Sequence, residues 1–580
     1  MLNLDKITRS KSGTRLPEHH VASAGSTEAA SGWASYISSW APSPGRSRPS
    51  LSEARVAGFR NPWPSWHRPT LAEKWNSFRW GEDDDGCVEL AASHLADCAD
   101  DAAQPQDTPR NMRPSFADTS EGPDSIGVMA ARLLRVETPD FSFMPGTKAK
   151  ATWLGHAGVL VQLPPLGDGT LGRPVRALFD PLFGDRCSPS RFAGPIRSYP
   201  PPCRAQDLPP IDLVLISHNH FDHMDAGSIQ SVWDHSRDTV RFFVPLGNAK
   251  YLLGWGIPAD RVVELDWWDS ADLTCGPTSA VQNESTSSNI NSTTLRVHCT
   301  PAQHNSFRSF GDTNAALWSS WLLELAPATR QHHRQDQQQR QPYRVFFAGD
   351  TGYQFHPDPS WPPSPNNPGG DDDDDDDDEA PGEAEGENGD DEEGGRFPAC
   401  PAFAQIRARI GAPHLLLLPV SVGATFSYLR SFFAFSLAGV TGANHMPPWD
   451  AVRVLRVMAG PPPPPRGQRR RRRRRKRESS RSRRGDEEEE GGPGDDDDDG
   501  GVGGGDGDGD GGDGAVAVAM HWGTFVPDPE EVLRTLGALE WACQRQGVRF
   551  ARELRRAGGE REQGPGLAFV APHHGASVVV

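Results

Sequence analysis

A short run of histidine and aspartate side chains is the most chemically distinctive feature of the sequence. Residues 217–225, SHNHFDHMD, contain His218, His220, Asp222 and His223. Imidazole and carboxylate groups bind zinc at roughly 2.0–2.2 Å. Two histidines two positions apart on an extended segment can face one ion, whereas Asp222 and His223, at the opening of a helix, can face a second ion. The spacing therefore predicts a metal site.

Three further residues with metal-binding chemistry each follow a predicted strand. They are His304 after residues 296–299, Asp350 after residues 345–349, and His521 after residues 515–520. The run 217–225 itself follows IDLVLI at 211–216, an apolar stretch typical of a buried strand. A single histidine after a strand is more often a surface residue. Four strands that all end in metal-binding residues favour a site for two ions.

Two residues near the start of the predicted fold are candidates for supporting these ligands. His156 lies in WLGHAG within a strand pattern, and Asp180 lies in FDP at a strand end. Each could form a hydrogen bond that orients a metal ligand. The alternative for His156 is an ordinary core histidine.

The elements that would position these residues include both strands and helices. Residues 149–163 and 175–179 predict consecutive strands, and shorter apolar runs repeat the pattern as far as residue 520. Amphipathic stretches at 450–458 and 529–546 predict helices. Strands mixed with such helices indicate a layered α/β domain.

The composition divides the chain into a catalytic region and low-complexity segments. Residues 1–125 predict a mostly disordered region, except for an aromatic segment at 59–80 that we expect to dock on the catalytic domain. Residues 145–555 predict that domain, and residues 556–580 predict a tail. Low-complexity insertions interrupt the domain at about 273–294, 327–342, 357–397 and 460–514. Such loops are tolerated because closure entropy rises slowly with length.

The charge of the chain is concentrated in a few stretches. The 580 residues have a formal net charge of −19, yet residues 371–395 alone contain 16 acidic and no basic side chains. A block of this kind stays solvated, so the acidity is not a clue to the substrate. The arginine block at 469–484 lies beside acidic tracts, which makes nucleic acid a disfavoured partner.

The cysteine content and the apolar runs bear on localisation. Eight scattered cysteines without a CxxC pair indicate an intracellular protein. No run of 18 apolar residues occurs, so we expect a cytoplasmic protein or one that is peripheral on a membrane. Basic residues among serines and threonines near the N-terminus are a weak sign of a mitochondrial destination.

Seven stretches of the sequence support a resemblance to a known family. They are FRNPWPSW at 59–66, TWLGHAGVLV at 152–161, FDPLF at 179–183, SPSRFAGPIR at 188–197, SHNHFDHMD at 217–225, FFAGDTGY at 346–353 and MHWGTF at 520–525. In this order they resemble the N-acylphosphatidylethanolamine-hydrolysing phospholipase D group of the metallo-β-lactamase superfamily. HxHxDH alone is specific only for the superfamily. The resemblance implies an αββα sandwich with long disordered loop insertions and a mostly disordered N-terminal region.

The resemblance also implies roles for individual residues. One Zn²⁺ ion would be bound by His218, His220 and His304, and a second by Asp222, His223 and His521, with Asp350 bridging the two. Phe221 and His445 would line the substrate site, although the group commonly has tyrosine at the position of Phe221. Asp222, Asp350 and His445 would act in catalysis, Asp222 or His445 by assisting the leaving group.

The implied activity is phosphodiester hydrolysis of the phospholipase D type. A hydroxide bridging the two zinc ions would attack N-acylphosphatidylethanolamine and release N-acylethanolamine and phosphatidic acid, because zinc lowers the pKa of bound water to about 7. The partner would be a membrane phospholipid, contacted peripherally through the aromatic segment or through apolar residues within 426–435. A homodimer could also form.

Two other functions stay open at this point. The same site could hydrolyse another ester, such as a thioester, a lactone or a nucleic-acid phosphodiester, because one fold supports many functions. A scaffold protein that kept the fold is the non-enzymatic alternative, and failure to bind metal would favour it. Zinc itself is a chemical expectation, since iron or manganese can occupy similar sites.

Overall fold

A computed structural model describes seventeen stretches of the chain. They are residues 2–9, 17–22, 56–76, 86–97, 125–166, 172–190, 192–274, 294–309, 311–326, 341–356, 361, 363–366, 397–421, 442–461, 514–526, 528–554 and 566–580. Most of each predicted insertion lies outside them, as do the apolar residues within 426–435.

The described residues form eighteen strands and eight α-helices. The strands are β1 (Asn3–Thr8), β2 (His20–Ala22), β3 (Val56–Phe59), β4 (Lys150–Trp153), β5 (Val159–Leu163), β6 (Val175–Phe179), β7 (Leu213–Leu215), β8 (Arg241–Pro245), β9 (Val262–Leu265), β10 (Ser270–Thr274), β11 (Thr294–Thr300), β12 (Ser320–Ala326), β13 (Tyr343–Phe347), β14 (Leu415–Pro419), β15 (Val516–Met520), β16 (Arg549–Ala551), β17 (Ala568–Val570) and β18 (Ser577–Val579). The helices are α1 (Leu71–Asn76), α2 (Gly86–Asp97), α3 (Ile126–Leu133), α4 (Ala226–Ser236), α5 (Ala249–Gly254), α6 (Ala402–Ile410), α7 (Pro448–Ala459) and α8 (Glu530–Arg545).

Two mixed sheets form the centre of the fold. The first sheet has nine strands in the order β1-β10-β11-β12-β13-β14-β15-β17-β16, and the second has seven in the order β18-β4-β5-β6-β7-β8-β9. Strands β13, β14, β15 and β17 run parallel in the first sheet, and β6 to β9 run parallel in the second. The carboxyl ends of each parallel set therefore lie at one edge of its sheet.

The alternation of side chains along β7 shows how the layers pack. Leu213 and Leu215 belong to the core between the two sheets, whereas Val214 packs in a second core that contains Ile229 of α4. Fully burying one such side chain contributes roughly 1.5–3 kcal/mol. Across the central core, the ring of Phe179 stacks on that of Phe347, with centroids 4.6 Å apart. The other face of the first sheet packs against α6, α7 and α8, so the predicted αββα sandwich is confirmed.

The N-terminal region contributes more structure than the sequence suggested. We expected residues 1–125 to be mostly disordered apart from the aromatic segment at 59–80, in which α1 lies. Outside that segment, the described residues also form β1, β2, α2 and β3 as far as Phe59. Strand β1 pairs antiparallel with β10 and extends the first sheet by one strand. Its six residues are too few for a clear alternation, but the edge of β10 offers unpaired backbone groups that β1 satisfies. The residues of 1–125 that lie outside the described ranges do not test the expectation of disorder.

The predicted tail at 556–580 was also wrong where the structure describes it. Strand β17 lies between β15 and β16 in the first sheet, and β18 pairs with β4 in the second. These strands have only three residues each, which is too short for the sequence pattern to indicate a strand. The catalytic domain therefore extends to residue 580.

Three of the long stretches outside the described residues come just before strands of the first sheet in sequence. Residues 275–293 precede β11, residues 327–340 precede β13, and residues 462–513 precede β15. The predicted ligands His304, Asp350 and His521 follow the other ends of the same three strands.

Candidate metal centre

The HxHxDH run lies on the connection from β7 to α4. His218 lies three residues after the end of β7. Asp222 and His223 lie on a turn that is closed by a hydrogen bond from the Met224 N–H to the His220 carbonyl oxygen. The helix begins only at Ala226, after the Asp225 side chain accepts a hydrogen bond from the Ser228 N–H. The expectation that Asp222 and His223 would open a helix was therefore wrong, because Asp225 is the N-cap residue.

The structure brings all seven predicted ligands together in one buried cluster. His218, His220, His304 and Asp350 form one group of potential ligand atoms that lie within 4.8 Å of one another. Asp222, His223 and His521 form a second such group with His156. Asp350 connects the two groups, because its carboxylate lies 3.1 Å from His223 Nε2, 2.9 Å from His521 Nε2 and 3.8 Å from His304 Nε2.

Hydrogen bonds at the outer nitrogens orient three of the histidines. His304 Nδ1 donates to the Asn444 carbonyl oxygen at 3.0 Å, and His223 Nδ1 donates to Asp180 Oδ2 at 2.7 Å. His218 Nδ1 donates to Ser217 Oγ at 2.9 Å, because that hydroxyl gives its own proton to Asp180. Each ring therefore presents Nε2, with its lone pair, to the centre of the cluster.

The spacing of the inward-facing nitrogens fits a divalent cation. His218 Nε2 lies 2.9 Å from His220 Nδ1, His304 Nε2 lies 3.4 Å from the same atom, and the Nε2 atoms of His223 and His521 are 3.3 Å apart. Two nitrogens bound tetrahedrally at 2.0–2.1 Å are separated by about 3.3–3.4 Å. Lone pairs at these distances repel unless a positive charge lies between them, so the residues fit metal ions. Which residues bind an ion stays a prediction.

The electrostatics of the cluster favour the neutral imidazoles that a metal requires. Burial lowers the pKa of His220 to about 3 and that of His304 to about 4. Burial also acts to lower the pKa of His223, but attraction to Asp350 and Asp222 outweighs it and raises that pKa well above the usual value. The position of His223 next to the two carboxylates therefore favours a positive charge, and a divalent ion there would supply that charge.

Backbone strain is concentrated around the same cluster. Among the described residues, five other than glycine have positive φ, and three of them are His156 at 50°, Asp180 at 36° and His521 at 62°. Such conformations cost of order 1–3 kcal/mol each and persist at functional sites. The His521 N–H donates to the His156 carbonyl oxygen at 2.8 Å, which fixes two of these residues against each other.

Asp180 forms hydrogen bonds to residues of the HxHxDH loop, and its predicted supporting role stays a prediction. Its side chain accepts hydrogen bonds from the Ser217 N–H and hydroxyl as well as from His223 Nδ1. The residue is fully buried, and burial raises the pKa of the carboxyl. One carboxylate thus orients two of the predicted metal ligands, His223 directly and His218 through Ser217.

We expect Asp180→Asn to weaken metal binding by about 10- to 100-fold, the usual cost of losing a group that orients a ligand. The amide has one acceptor oxygen instead of two, so it cannot accept from all three donors, which are His223 Nδ1, the Ser217 hydroxyl and the Ser217 N–H. The measurement is competition for metal against a chromogenic chelator.

Asp212→Asn is the matched control for this change. Asp212 is equally buried but precedes β7, where it pairs with Arg173. Equal metal affinities in the two variants would contradict the supporting role of Asp180.

His156 is close enough to the cluster to affect it directly. It lies on the turn between β4 and β5 and not within a strand, and its Nε2 is 3.1 Å from Asp222 Oδ2. Its backbone N–H donates to Thr524 Oγ1, which in turn contacts His574 Nε2 at 3.2 Å. His156 thus contacts one predicted ligand, and its supporting role stays a prediction.

The two predicted substrate-site residues lie at different depths. His445 is buried, and its Nδ1 is 3.7 Å from Asp350 Oδ2. Burial lowers the pKa of His445 well below its usual value. Phe221 is partly exposed and lies under the guanidinium of Arg308, 4.1 Å from the ring centroid. Arg308 also donates to the carbonyl oxygens of Asn219 and Met224, so it fixes the HxHxDH loop.

Sequence reasoning missed several residues that contact the predicted ligands. Ser217 directly precedes the HxHxDH run, and its position could have suggested a supporting role. Phe307 is 45% exposed, and its ring centroid lies 4.4 Å from that of His220. No sequence pattern marks Asn61 or Gln303 as a supporting residue. Their only indication is position, Asn61 within FRNPWP and Gln303 directly before His304.

Comparison with known proteins agrees with this picture. Residues 175–358 match the family model of the beta-lactamase superfamily domain. The chain is 36% identical over 223 residues to an uncharacterized protein of Mycobacterium tuberculosis, a match that covers 38% of this chain and 48% of that protein.

Two further relatives have descriptive names. The chain is 35% identical over 206 residues to N-acyl-phosphatidylethanolamine-hydrolyzing phospholipase D 1 of Caenorhabditis elegans, which covers 35% of this chain and 47% of that protein. It is 32% identical over 202 residues to N-acyl-phosphatidylethanolamine-hydrolyzing phospholipase D, mitochondrial, of Saccharomyces cerevisiae, which covers 35% of this chain and 34% of that protein. The chain thus spans half or less of the length of these curated relatives. The chain is similar to the beta-lactamase superfamily domain over residues 175–358 and is related, over about a third of its length, to proteins named for the hydrolysis of N-acylphosphatidylethanolamine.

Proposed function

We propose that this protein is a metal-dependent hydrolase that cleaves N-acylphosphatidylethanolamine into N-acylethanolamine and phosphatidic acid. The main support is the buried cluster in which two groups of ligand atoms share Asp350. The sequence relation to two proteins named for this reaction is the second support.

The reaction requires water to attack phosphorus while the bond to the ethanolamine oxygen breaks. Two divalent ions, zinc by the chemistry of the donor set, would supply a water of lowered pKa and neutralise charge on the phosphoryl oxygens. His218, His220 and His304 would bind one ion, Asp222, His223 and His521 the other, and Asp350 both. The neutral imidazole of His445 can donate one hydrogen bond to a substrate oxygen, and the Asp222 carboxylate could accept a proton from the attacking water and pass it to the departing alkoxide.

Access to a lipid substrate is supported by two exposed aromatic side chains. Phe307, next to His220, is 45% exposed, and Phe192 in the SPSRFAGPIR loop is 92% exposed. Aromatic side chains of this kind insert into the interfacial region of a bilayer. No helix among the described residues has the length and apolarity to cross a membrane. We therefore propose peripheral contact with the membrane that contains the substrate.

The experiment that tests the function uses the purified full chain with mixed micelles of N-acylphosphatidylethanolamine in ¹⁸O-labelled water. We expect mass spectrometry to find unlabelled N-acylethanolamine and phosphatidic acid with one ¹⁸O atom, because the new bond joins the water oxygen to phosphorus. Phosphatidylcholine in the same micelles is the control substrate, since it has no N-acyl group.

Two outcomes would contradict the proposal in different ways. A metal-loaded protein that leaves the lipid intact would overturn the substrate and direct the search to thioesters and lactones. A protein that binds no metal would overturn the hydrolase assignment itself.

A further inference from the structure

We propose that the N-terminal segment 59–66 is a positioning element of the metal centre, and that Asn61 acts through His304. The inference rests on the proposed function only in that His304 must bind a metal ion. The FRNPWPSW motif within this segment is more than 230 residues before His304 in sequence, yet the two are in direct contact.

Asn61 forms a reciprocal pair of hydrogen bonds with the backbone of His304. Its Nδ2 donates to the His304 carbonyl oxygen at 2.7 Å, and its Oδ1 accepts from the His304 N–H at 3.2 Å. The two bonds fix the peptide groups on both sides of one Cα atom. With Nδ1 of the ring bonded to the Asn444 carbonyl oxygen, the backbone and the side chain of His304 are both constrained.

The residue before His304 forms a second connection to the same segment. Ser65 Oγ donates to Gln303 Oε1 at 2.5 Å, and Gln303 Nε2 donates to the Ala443 carbonyl oxygen at 2.9 Å. The Gln303 backbone N–H donates to Thr351 Oγ1, one residue after Asp350. Gln303 is fully buried, so it joins segment 59–66 to the loops that contain Asp350 and His445.

Segment 59–66 is attached to the rest of the domain by contacts that do not involve Asn61. It can therefore hold Asn61 in place against His304. The Phe59 N–H donates to the Asn314 carbonyl oxygen at 2.8 Å, and Phe59 is buried. Trp63 stacks on Trp267 with ring centroids 5.4 Å apart. A Cβ atom on Gly58 would lie 2.8 Å from the Asn314 carbonyl oxygen, so the backbones are closely packed. These contacts would persist if Asn61 were removed.

The hydrogen bonds of Asn61 therefore affect the geometry of one predicted ligand, His304. His304 lies in an irregular loop four residues after the end of β11, where it forms no strand or helix hydrogen bonds. Metal sites require ligands within about 0.5 Å of the productive position. Losing a partner that orients a ligand typically weakens metal affinity by 10- to 100-fold. We expect a loss of this size, restricted to one of the two metal equivalents.

The test compares Asn61→Ala with Asn248→Ala in the full chain. Asn248 is also an asparagine that donates to backbone carbonyl oxygens, of Pro245 and Leu317, but it contacts no predicted ligand. The first readout is the affinity of each metal equivalent, measured with a competing chelator. The second is hydrogen exchange of the 301–306 amides in metal-free protein, which does not depend on metal or activity.

In Asn61→Ala we expect one equivalent to bind 10- to 100-fold more weakly and the 301–306 amides to exchange faster. In Asn248→Ala we expect stability to fall while both equivalents stay tight. Ser65→Ala should shift the same two readouts in the same direction by a smaller factor, because it leaves Asn61 intact.

Unchanged metal affinity and unchanged exchange in Asn61→Ala would overturn the inference. Metal-loaded wild type that fails to cleave the lipid would overturn the substrate alone, and the metal readouts would still decide the role of Asn61. Wild type without metal affinity would overturn both proposals.

Discussion

Replacing Asp350 by asparagine is expected to lower turnover of N-acylphosphatidylethanolamine by about a thousandfold or more. The two carboxylate oxygens face different histidines, Oδ1 towards His521 and Oδ2 towards His223 and His304. An amide of the same shape has no negative charge and cannot bridge two cations. Metal ions stabilise transition-state charge by several kcal/mol, and each 1.36 kcal/mol corresponds to a factor of ten in rate.

The measurement for Asp350→Asn is the initial rate of N-acylethanolamine release, together with the metal content of the same sample. Asp450→Asn is the matched control, because Asp450 is an equally buried carboxylate paired with Arg453 on α7. We expect the control to keep both metal equivalents. If Asp350→Asn retained a tenth of the wild-type rate, Asp350 would not be the bridging ligand.

Removing the metal ions is expected to lower the midpoint of thermal unfolding by about 10 °C. A ligand present at a thousand times its dissociation constant stabilises the folded state by about 4 kcal/mol. One kcal/mol shifts the midpoint by about 2–4 °C in a domain of 150–250 residues. Without metal, the lone pairs of the buried imidazoles and the negative charges of the carboxylates lie close together. Too little positive charge is then present to offset their repulsion.

Differential scanning calorimetry of chelator-treated protein, before and after zinc is restored, measures this shift. Restored zinc should recover the midpoint, and magnesium should not, because the donors are mainly imidazole nitrogens. The Asp350→Asn variant should respond less to zinc than wild type. A midpoint that is the same with and without metal would show that the cluster does not bind ions at useful affinity.

The sequence indicated that the seven predicted ligands would lie close together, because they follow short apolar strands. HxHxDH begins three residues after the end of β7, and Asp350 and His521 lie within three residues of the ends of β13 and β15. Parallel strands bring their carboxyl ends to one edge, so strand-end residues distant in sequence are expected to meet. The layered α/β class was predicted from strands mixed with amphipathic helices, and the αββα architecture from the family resemblance.

The sequence could not predict contacts that depend on a few hydrogen bonds between distant segments. The pairing of Asn61 with His304 involves backbone groups, which leave no trace in residue type. Strands β1, β17 and β18 were missed because three to six residues give too little alternation. The start of α4 was placed too early, because both Asp222 and Asp225 are plausible N-caps and only the fold selects the second.

Three strands each have an insertion before their first residue and a predicted metal ligand after their last residue. The length of the chain can therefore vary without a change in the residues of the site. Strands β11, β13 and β15 have five to seven residues, which is about 17–23 Å at 3.3 Å per residue. Residues 275–293, 327–340 and 462–513 come before the first residues of these strands in sequence, and His304, Asp350 and His521 come after their last residues. Evolution can lengthen or shorten these connections without altering the cluster, and a reporter domain could be grafted at the same points.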